Sequence, residues 1–216
     1  MQDYIYIANK PLGITSANLV AQYKDKFNVH KIGHMGTLDP LASGILPLGI
    51  NKFTKSMALF LNMKKTYLAV IKFGYSTTTD DSEGTPINFS ATIPTNKDIE
   101  KALLRFNGLI SQQAPYYSAL KVKGKPMYKL ARNNQPIEPK IRQVHIYAIR
   151  LHQYLYPYLE IEVTCGAGTY IRSIARDIGV ICSSAAHLHS LYRTRYGPFF
   201  LAHLNKFIFD INFINE

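Results

Sequence analysis

The sequence predicts an α+β domain, because two stretches alternate with a period of two while a third repeats at the helical spacing. In "TYLAVIKFG" (66–74), Tyr67, Ala69, Ile71 and Phe73 share one face, with Leu68, Val70 and Lys72 on the other. In "YLEIEVTC" (158–165), Leu159, Ile161, Val163 and Cys165 oppose Glu160, Glu162 and Thr164. In "TYIRSIARDIG" (169–179), Ile171, Ile174, Ala175 and Ile178 fall on one helical stripe.

Taken in order, "YIYIAN" (4–9) reads as a short strand. Ser16 then offers an N-cap for a helix over "ANLVAQYKDKF" (17–27), with Leu19, Val20 and Tyr23 on its apolar face. Residues 28–44 read as a glycine-punctuated loop, and 66–74 as an inner strand. A helix near 96–106 and a strand near 141–151 precede the half-buried strand 158–165. "GAG" (166–168) is the turn into the last helix, which is expected to end at Gly179 and to carry Arg172 and Arg176 one turn apart.

Length and composition suit one globular domain with a proper core: 216 residues, 47% hydrophobic and 18% charged. The net charge of +11 predicts attraction to a polyanion. Its location is telling. Residues 111–150 hold eight basic side chains, Lys121, Lys123, Lys125, Lys129, Arg132, Lys140, Arg142 and Arg150, against one acid, Glu138. Tyr116, Tyr117, Tyr128 and Tyr147 are interleaved with them, so cations for phosphates alternate with rings for bases. A solvated charged face is the plainer alternative; the interleaving favours a nucleic-acid grip.

Other chemistries lack their signatures. Cys165 and Cys182 are too few for a disulfide framework and lack zinc spacing, so both are expected reduced, in a cytoplasmic protein. "MQDYIYIANK" is not a signal sequence, and no apolar run approaches the ~18 residues of a membrane span. His30 and His34 have i, i+4 spacing, but the "KIG" between them lacks a metalloprotease glutamate, and no metal is expected. "GAGTYI" has Ile171 where a dinucleotide fingerprint needs its third glycine, and no cofactor is expected.

One carboxylate stands in an unusual setting. "GHMGTLDPLASG" (33–44) places Asp39 among Gly33, Gly36 and Gly44, and Pro40 disfavours an α conformation at the aspartate. Such a loop can hold an acid rigidly toward a ligand. An aspartate before proline is, by itself, more often a turn residue bonding its own backbone, and spacing alone does not overturn that reading.

Five blocks change the weighing: "KPLGITS" (10–16), "GHMGTLDPLASG" (33–44), "KTYLAVIKFG" (65–74), "SALKVKGKPMYKLAR" (118–132) and "GAGTYIRSIARDIG" (166–179). In this order they closely resemble the TruB family of tRNA pseudouridine synthases, from about Tyr6 to Phe199. The resemblance implies the pseudouridine synthase fold, a central mixed and mainly antiparallel sheet flanked by helices and loops. It implies isomerisation of uridine to pseudouridine at position 55 in the tRNA T loop, by base flipping and an aspartate nucleophile. It gives that role to Asp39, with Tyr67 packing on the base and implicated in proton removal, and Arg172 paired with the aspartate. His34 matches a residue near the space the flipped nucleotide leaves; Tyr170 and Leu191 match the base pocket. Lys10 and Lys55 match positions at pocket walls or phosphate. Residues 111–150 align with an RNA-gripping thumb, which makes Lys121, Lys123, Lys125, Lys129 and Arg132 candidate backbone contacts.

The resemblance further implies a catalytic domain over 1–199 and a short tail over 200–216, without the family's C-terminal PUA-type domain. The tail, rich in Phe and Ile, is expected to pack on the catalytic domain or else to form an association surface. No obligate protein partner is implied, and a monomer is expected. Met35 departs from the small or hydroxyl residue usual at its place, and the sequence offers no reason for it.

Overall fold

The computed structural model describes residues 3–118, 120–122, 124–133, 138 and 140–208. In chain order it runs β1 (Tyr4–Lys10), α1 (Ser16–Phe27), β2 (Ile32–His34), β3 (Ala42–Ile50), α2 (Met57–Leu61), β4 (Lys65–Phe73), β5 (Tyr75–Thr77), β6 (Pro86–Phe89) and α3 (Asn96–Leu104). It continues with β7 (Gly108–Gln113), β8 (Lys121–Val122), β9 (Lys125–Pro126), α4 (Met127–Arg132), β10 (Ile141–Leu155), β11 (Tyr158–Cys165), α5 (Ile171–Ile181), β12 (Ala186–Tyr196), β13 (Phe199–Phe200) and β14 (Phe207–Ile208).

The chain forms two compact units, one of residues 3–68, Thr164–Ala167 and 191–208, the other of Ala69–Val163 and Gly168–Ser190. Strands β4, β11 and β12 contribute residues to both.

In the first unit the strand order is β14-β1-β3-β12. One edge of β3 is taken by antiparallel β1, in register from Tyr4↔Ile50 to Lys10↔Gly44. Its other edge is shared. Parallel β12 runs along it at Leu191↔Ala42 to Arg193↔Gly44, and antiparallel β2 at Ile32↔Ile50 to His34↔Leu48. β3 is paired on both edges and, by its burial, covered on both faces as well, and it reads accordingly as the near-continuous apolar run "ASGILPLGI". Its core holds Ile5, Ile7, Met35, Ile45, Phe60, Tyr196 and Phe199. Met35, without a rationale in sequence, is a fully buried core residue.

The start of the tail pairs with β1 at Tyr6↔Phe207 and Ile5↔Ile208, and the Phe207 ring packs at 4.9 Å from both Tyr4 and Tyr6. The expected tail packing therefore holds as far as Ile208; residues 209–216 lie outside the described residues.

In the second unit the order is β4-β11-β10-β7, with β7 and β10 antiparallel from Ile141↔Gln113 to Ile146↔Gly108. Strand β4 buries Ala69, Ile71 and Phe73 on the face that alternation predicts. Helix α3 opens on a capping box in which the Thr95 hydroxyl accepts from the Asp98 amide (3.3 Å) and the Thr95 amide donates to the Asp98 carboxylate (2.9 Å).

Three sequence expectations need correction. The N-cap of α1 is Thr15, whose hydroxyl accepts from the Asn18 amide at 3.0 Å, and Ser16 has another task described below. Residues 28–44 are not loop throughout, because Ile32–His34 finds the free edge of β3. Helix α5 does not end at Gly179 but continues to Ile181; the glycine serves packing, since a Cβ there would stand 2.7 Å from the Ala186 amide nitrogen.

Candidate active site

Asp39 is half-buried, and the backbone on both sides of it is clamped by the "KPLGITS" segment. Before it, the buried Ser16 hydroxyl donates to the Leu38 carbonyl (3.0 Å) and accepts from the Leu38 amide (2.9 Å). After it, the Pro40 carbonyl accepts from the Gly13 amide (2.9 Å) and from the Lys10 ammonium (3.3 Å). Lys10 also donates to the carbonyls of Ala42 (2.6 Å) and Pro11 (2.8 Å). A fully buried ammonium loses most of its hydration, and backbone carbonyl dipoles replace it here. The loop closes on itself through Ala42 N–H to the Asp39 carbonyl at 3.0 Å. Lys10, Gly13 and Ser16, at spacings of three, thus fix the chain around one carboxylate.

Two glycines of the loop exist for β12. Gly44 has φ +101°, and a Cβ on it would lie 2.4 Å from the Arg193 carbonyl oxygen, so the parallel pairing of β3 and β12 requires it. Gly36 has φ +152° and lies against the Tyr196 ring, 3.0 Å from where its Cβ would be. The Tyr196 hydroxyl in turn lies against the carbonyls of Met35 and, at 2.8 Å, Phe60, which share its single proton.

Around this loop the first unit gathers Tyr67, His34, Leu191 and two cations that the sequence reading passed over. Tyr67 is buried on β4, and burial pushes its phenol up from the ordinary tyrosine value. The Arg193 guanidinium opposes that rise by charge and hydrogen bonding, while Cys165 and the Asp39 carboxylate add to it. Asp39 and Tyr67 therefore lie within electrostatic reach of one another. His34 is pushed down by burial and then by the Arg193 charge, and its Nδ1, buried, has no hydrogen-bond partner among the described residues. Leu191 is buried opposite Ala42 in the β3–β12 register, three residues past Asp39.

Arg193 is 1% exposed; its Nε donates to the Ile45 carbonyl (2.7 Å), an Nη to the Gly36 carbonyl (3.2 Å), and its guanidinium lies 5.0 Å from the Tyr196 ring centroid. Lys65, two residues before Tyr67 on the same face of β4, donates to the Leu61 carbonyl (2.6 Å) and sits 4.9 Å from the Tyr196 centroid. Burial, with Arg193 adding, pulls it down to about 8. A signal for Arg193 was present: it follows Leu191 by two residues in an alternating strand. Lys55, by contrast, is exposed.

The second unit holds Arg172 and Tyr170. Arg172 is buried in the first turn of α5, 3.6 Å from the Asp81 carboxylate, and donates to the carbonyls of Thr79 and Tyr117, both at 3.1 Å. The Asp81 carboxylate also accepts from the Thr79 hydroxyl (2.5 Å) and the Glu83 amide (3.0 Å). One turn on, Arg176 pairs with Asp80 and Asp177, each at 2.9 Å. Tyr170 is half-buried, and its backbone exchanges two hydrogen bonds with the Gln112 amide, 2.8 Å and 3.1 Å.

Of the basic segment, Lys125 and Lys129 are exposed, as are Lys140 and Arg150. Lys121 lies on β8 and Arg132 ends α4. Lys123 lies outside the described residues. Tyr116 and Tyr147 are exposed, and Tyr147 stacks on His145 with centroids 4.2 Å apart.

Known proteins share this fold. Among solved structures, the crystal structure of a Cbf5-Nop10-Gar1 complex matches with a TM-score of 0.73 at 30% identity, over 93% of this chain and 51% of that one. An H/ACA RNP bound to a substrate RNA containing 2'-deoxyuridine matches with 0.68 at 27%, over 91% and 48%. The profile described as TruB family pseudouridylate synthase (N terminal domain) matches residues 24–171.

A mixed, mainly antiparallel sheet carrying a clamped aspartate defines the class: this is the pseudouridine synthase fold. Within 197 aligned residues the chain is 43% identical to the tRNA pseudouridine synthase B of Xanthomonas campestris pv. campestris (strain 8004), covering 90% of this chain and 64% of that protein. It is equally 43% identical to that of Francisella philomiragia subsp. philomiragia, over 90% and 65%. The chain belongs to the TruB family of pseudouridylate synthases. It spans a little under two thirds of the length of these relatives.

Proposed function

We propose that this protein isomerises uridine to pseudouridine in the T loop of tRNA, acting as a monomer on flipped-out substrate without a cofactor. The observation that carries the reading is the clamp on Asp39: a carboxylate in a loop held from both sides, within electrostatic reach of a buried tyrosine. In this reading the N-glycosidic bond breaks, the uracil turns, and its C5 joins the anomeric carbon. The C5 proton leaves and N1 gains one, so no electrons are exchanged with a partner. Asp39 meets the positive charge that develops at the anomeric carbon, by attack or by electrostatics. Tyr67 packs on the base and takes part in proton removal at C5. Arg172 serves as the cation set against the aspartate, while Tyr170 and Leu191 wall the base. His34 fills the place the nucleotide leaves. Lys10, fully buried, acts through the loop that carries Asp39 rather than on the substrate; Lys55 supports the substrate, and Lys121, Lys123, Lys125, Lys129 and Arg132 grip the RNA backbone.

Support comes from two relatives named tRNA pseudouridine synthase B, each 43% identical. Solved neighbours that include an H/ACA RNP favour a second reading, action on another RNA. Incubating the protein with unmodified tRNA, and separately with a T-arm stem-loop, followed by pseudouridine mapping, separates the two. Modification of the T-loop uridine in both, lost in Asp39→Asn with RNA binding retained, is the expected result. Unmodified tRNA with wild-type protein would exclude the tRNA reading.

A further inference from the structure

We propose that Arg193 is a positioning residue of this active site, holding the backbone on both sides of Asp39, at Gly36 and Ile45, on one rigid guanidinium beside the Tyr67 phenol. The inference rests on the isomerase reading above and extends it to a residue outside the candidate set.

Four geometric observations and one electrostatic one converge on it. Arg193 is among the largest fully buried side chains of the protein, and burying a guanidinium is costly unless its donors are used. They are used on the site: Nε and an Nη hold the carbonyls of Ile45 and Gly36, which stand on either side of Asp39 in the chain. Its backbone packs on Gly44, the last residue of the loop motif, so closely that no side chain fits there. Its guanidinium lies over Tyr196, whose hydroxyl holds the Met35 carbonyl, so that two consecutive carbonyls at the start of the loop are drawn onto β12. The same guanidinium stands within electrostatic reach of the buried Tyr67 phenol.

The consequence is geometric. A planar fork with donors in fixed directions sets the relative orientation of the two segments it holds; an ammonium, a single point with rotatable donors, sets it less tightly. A misplacement of about 1 Å at a reacting group costs on the order of 100-fold in rate. Arg193→Lys keeps the charge and loses the fork, and Arg193→Met loses both.

The test measures single-turnover pseudouridine formation at saturating tRNA, tRNA affinity, and the titration of the Tyr67 phenol followed by tyrosine-selective 13C NMR, assigned with Tyr67→Phe. Expected is a rate loss on the order of 100-fold in Arg193→Lys with affinity unchanged. In Arg193→Met the Tyr67 titration moves to higher pH, since the phenol keeps its burial and the neighbouring Cys165 and Asp39 but loses the cation. Full activity in Arg193→Lys, or a Tyr67 titration that does not move in Arg193→Met, would overturn the proposal. If the variants do not fold, guanidinium added to Arg193→Ala at low temperature should restore folding and rate together; restored folding without rate marks a merely structural arginine. The NMR readout is independent of the reaction. A shifted Tyr67 titration in a protein that modifies no tRNA therefore refutes the isomerase reading and leaves the Arg193–Tyr67 link standing.

Discussion

One hydroxyl, that of Ser16, serves both backbone groups of Leu38, donating to its carbonyl at 3.0 Å and accepting from its amide at 2.9 Å, immediately before Asp39. Ser16→Ala leaves two buried backbone groups unpaired, a cost of about 2 kcal/mol. Urea unfolding should show that loss, and turnover should fall by more than tRNA affinity, because the carboxylate is loosened while the RNA-gripping surface is untouched. Equal stability in variant and wild type would contradict the clamp.

Gly44 cannot carry a side chain. At φ +101° with the Arg193 carbonyl 2.4 Å from a Cβ, Gly44→Ala forces β3 and β12 apart. Unfavourable backbone conformation and overpacking together should cost about 3 kcal/mol. The check is the denaturation midpoint, with Gly124→Ala as the comparison: Gly124 also has a positive φ, +80°, but nothing within 4 Å, so it reports the conformational part alone.

Lys65 gives stability a pH dependence. Its ammonium releases its proton at about 8 in the folded protein, against 10.5 ordinarily. Between those values the unfolded chain binds more protons than the folded one, so this residue's contribution to stability rises with pH across the window and is flat below it. Wild type should therefore gain stability relative to Lys65→Met as pH rises from about 8 to about 10.5. A difference between the two that does not change with pH would refute the buried-ammonium account.

The pair Arg172–Asp81 is buried on both sides, with 6% and 4% of the side chains exposed. Removing one partner from such a pair costs about 3 kcal/mol or more, because the other charge stays buried. Asp81→Ala should lower the unfolding midpoint strongly, whereas removing an exposed pair, as in Lys52→Ala against Asp3, should do almost nothing.

If residues 111–150 hold RNA by its phosphates, affinity should fall linearly in log–log terms with salt, and each effective lysine removed should lower the slope by about 0.7–0.9. Lys125→Ala and Lys129→Ala, both exposed, are the variants to compare. A slope unchanged in both would remove these two from the interface.

The sequence by itself determined what repeats locally. Alternation in β4 and β11, the apolar stripe of α5, and the basic run at 111–150 are properties of neighbouring residues, and the two strands and the helix are where their patterns placed them. The motif around Asp39 was equally legible as a motif, by likeness to a family. Why it has its residues was not. Met35 is core, Gly44 yields to the Arg193 backbone, Ser16 bonds Leu38 and Lys10 bonds Pro40 and Ala42. Each of these contacts joins residues 22 or more apart in the chain, and no periodicity within one segment encodes a partner in another. Arg193 shows the limit most plainly: by sequence an ordinary cation in "YRTRY", it became the buried centre of the site only when β12 was laid parallel to β3, bringing it against Gly36 and Ile45. Tertiary structure decided that, because strand pairing is non-local and the desolvation that makes a buried charge informative exists only once the chain has closed around it.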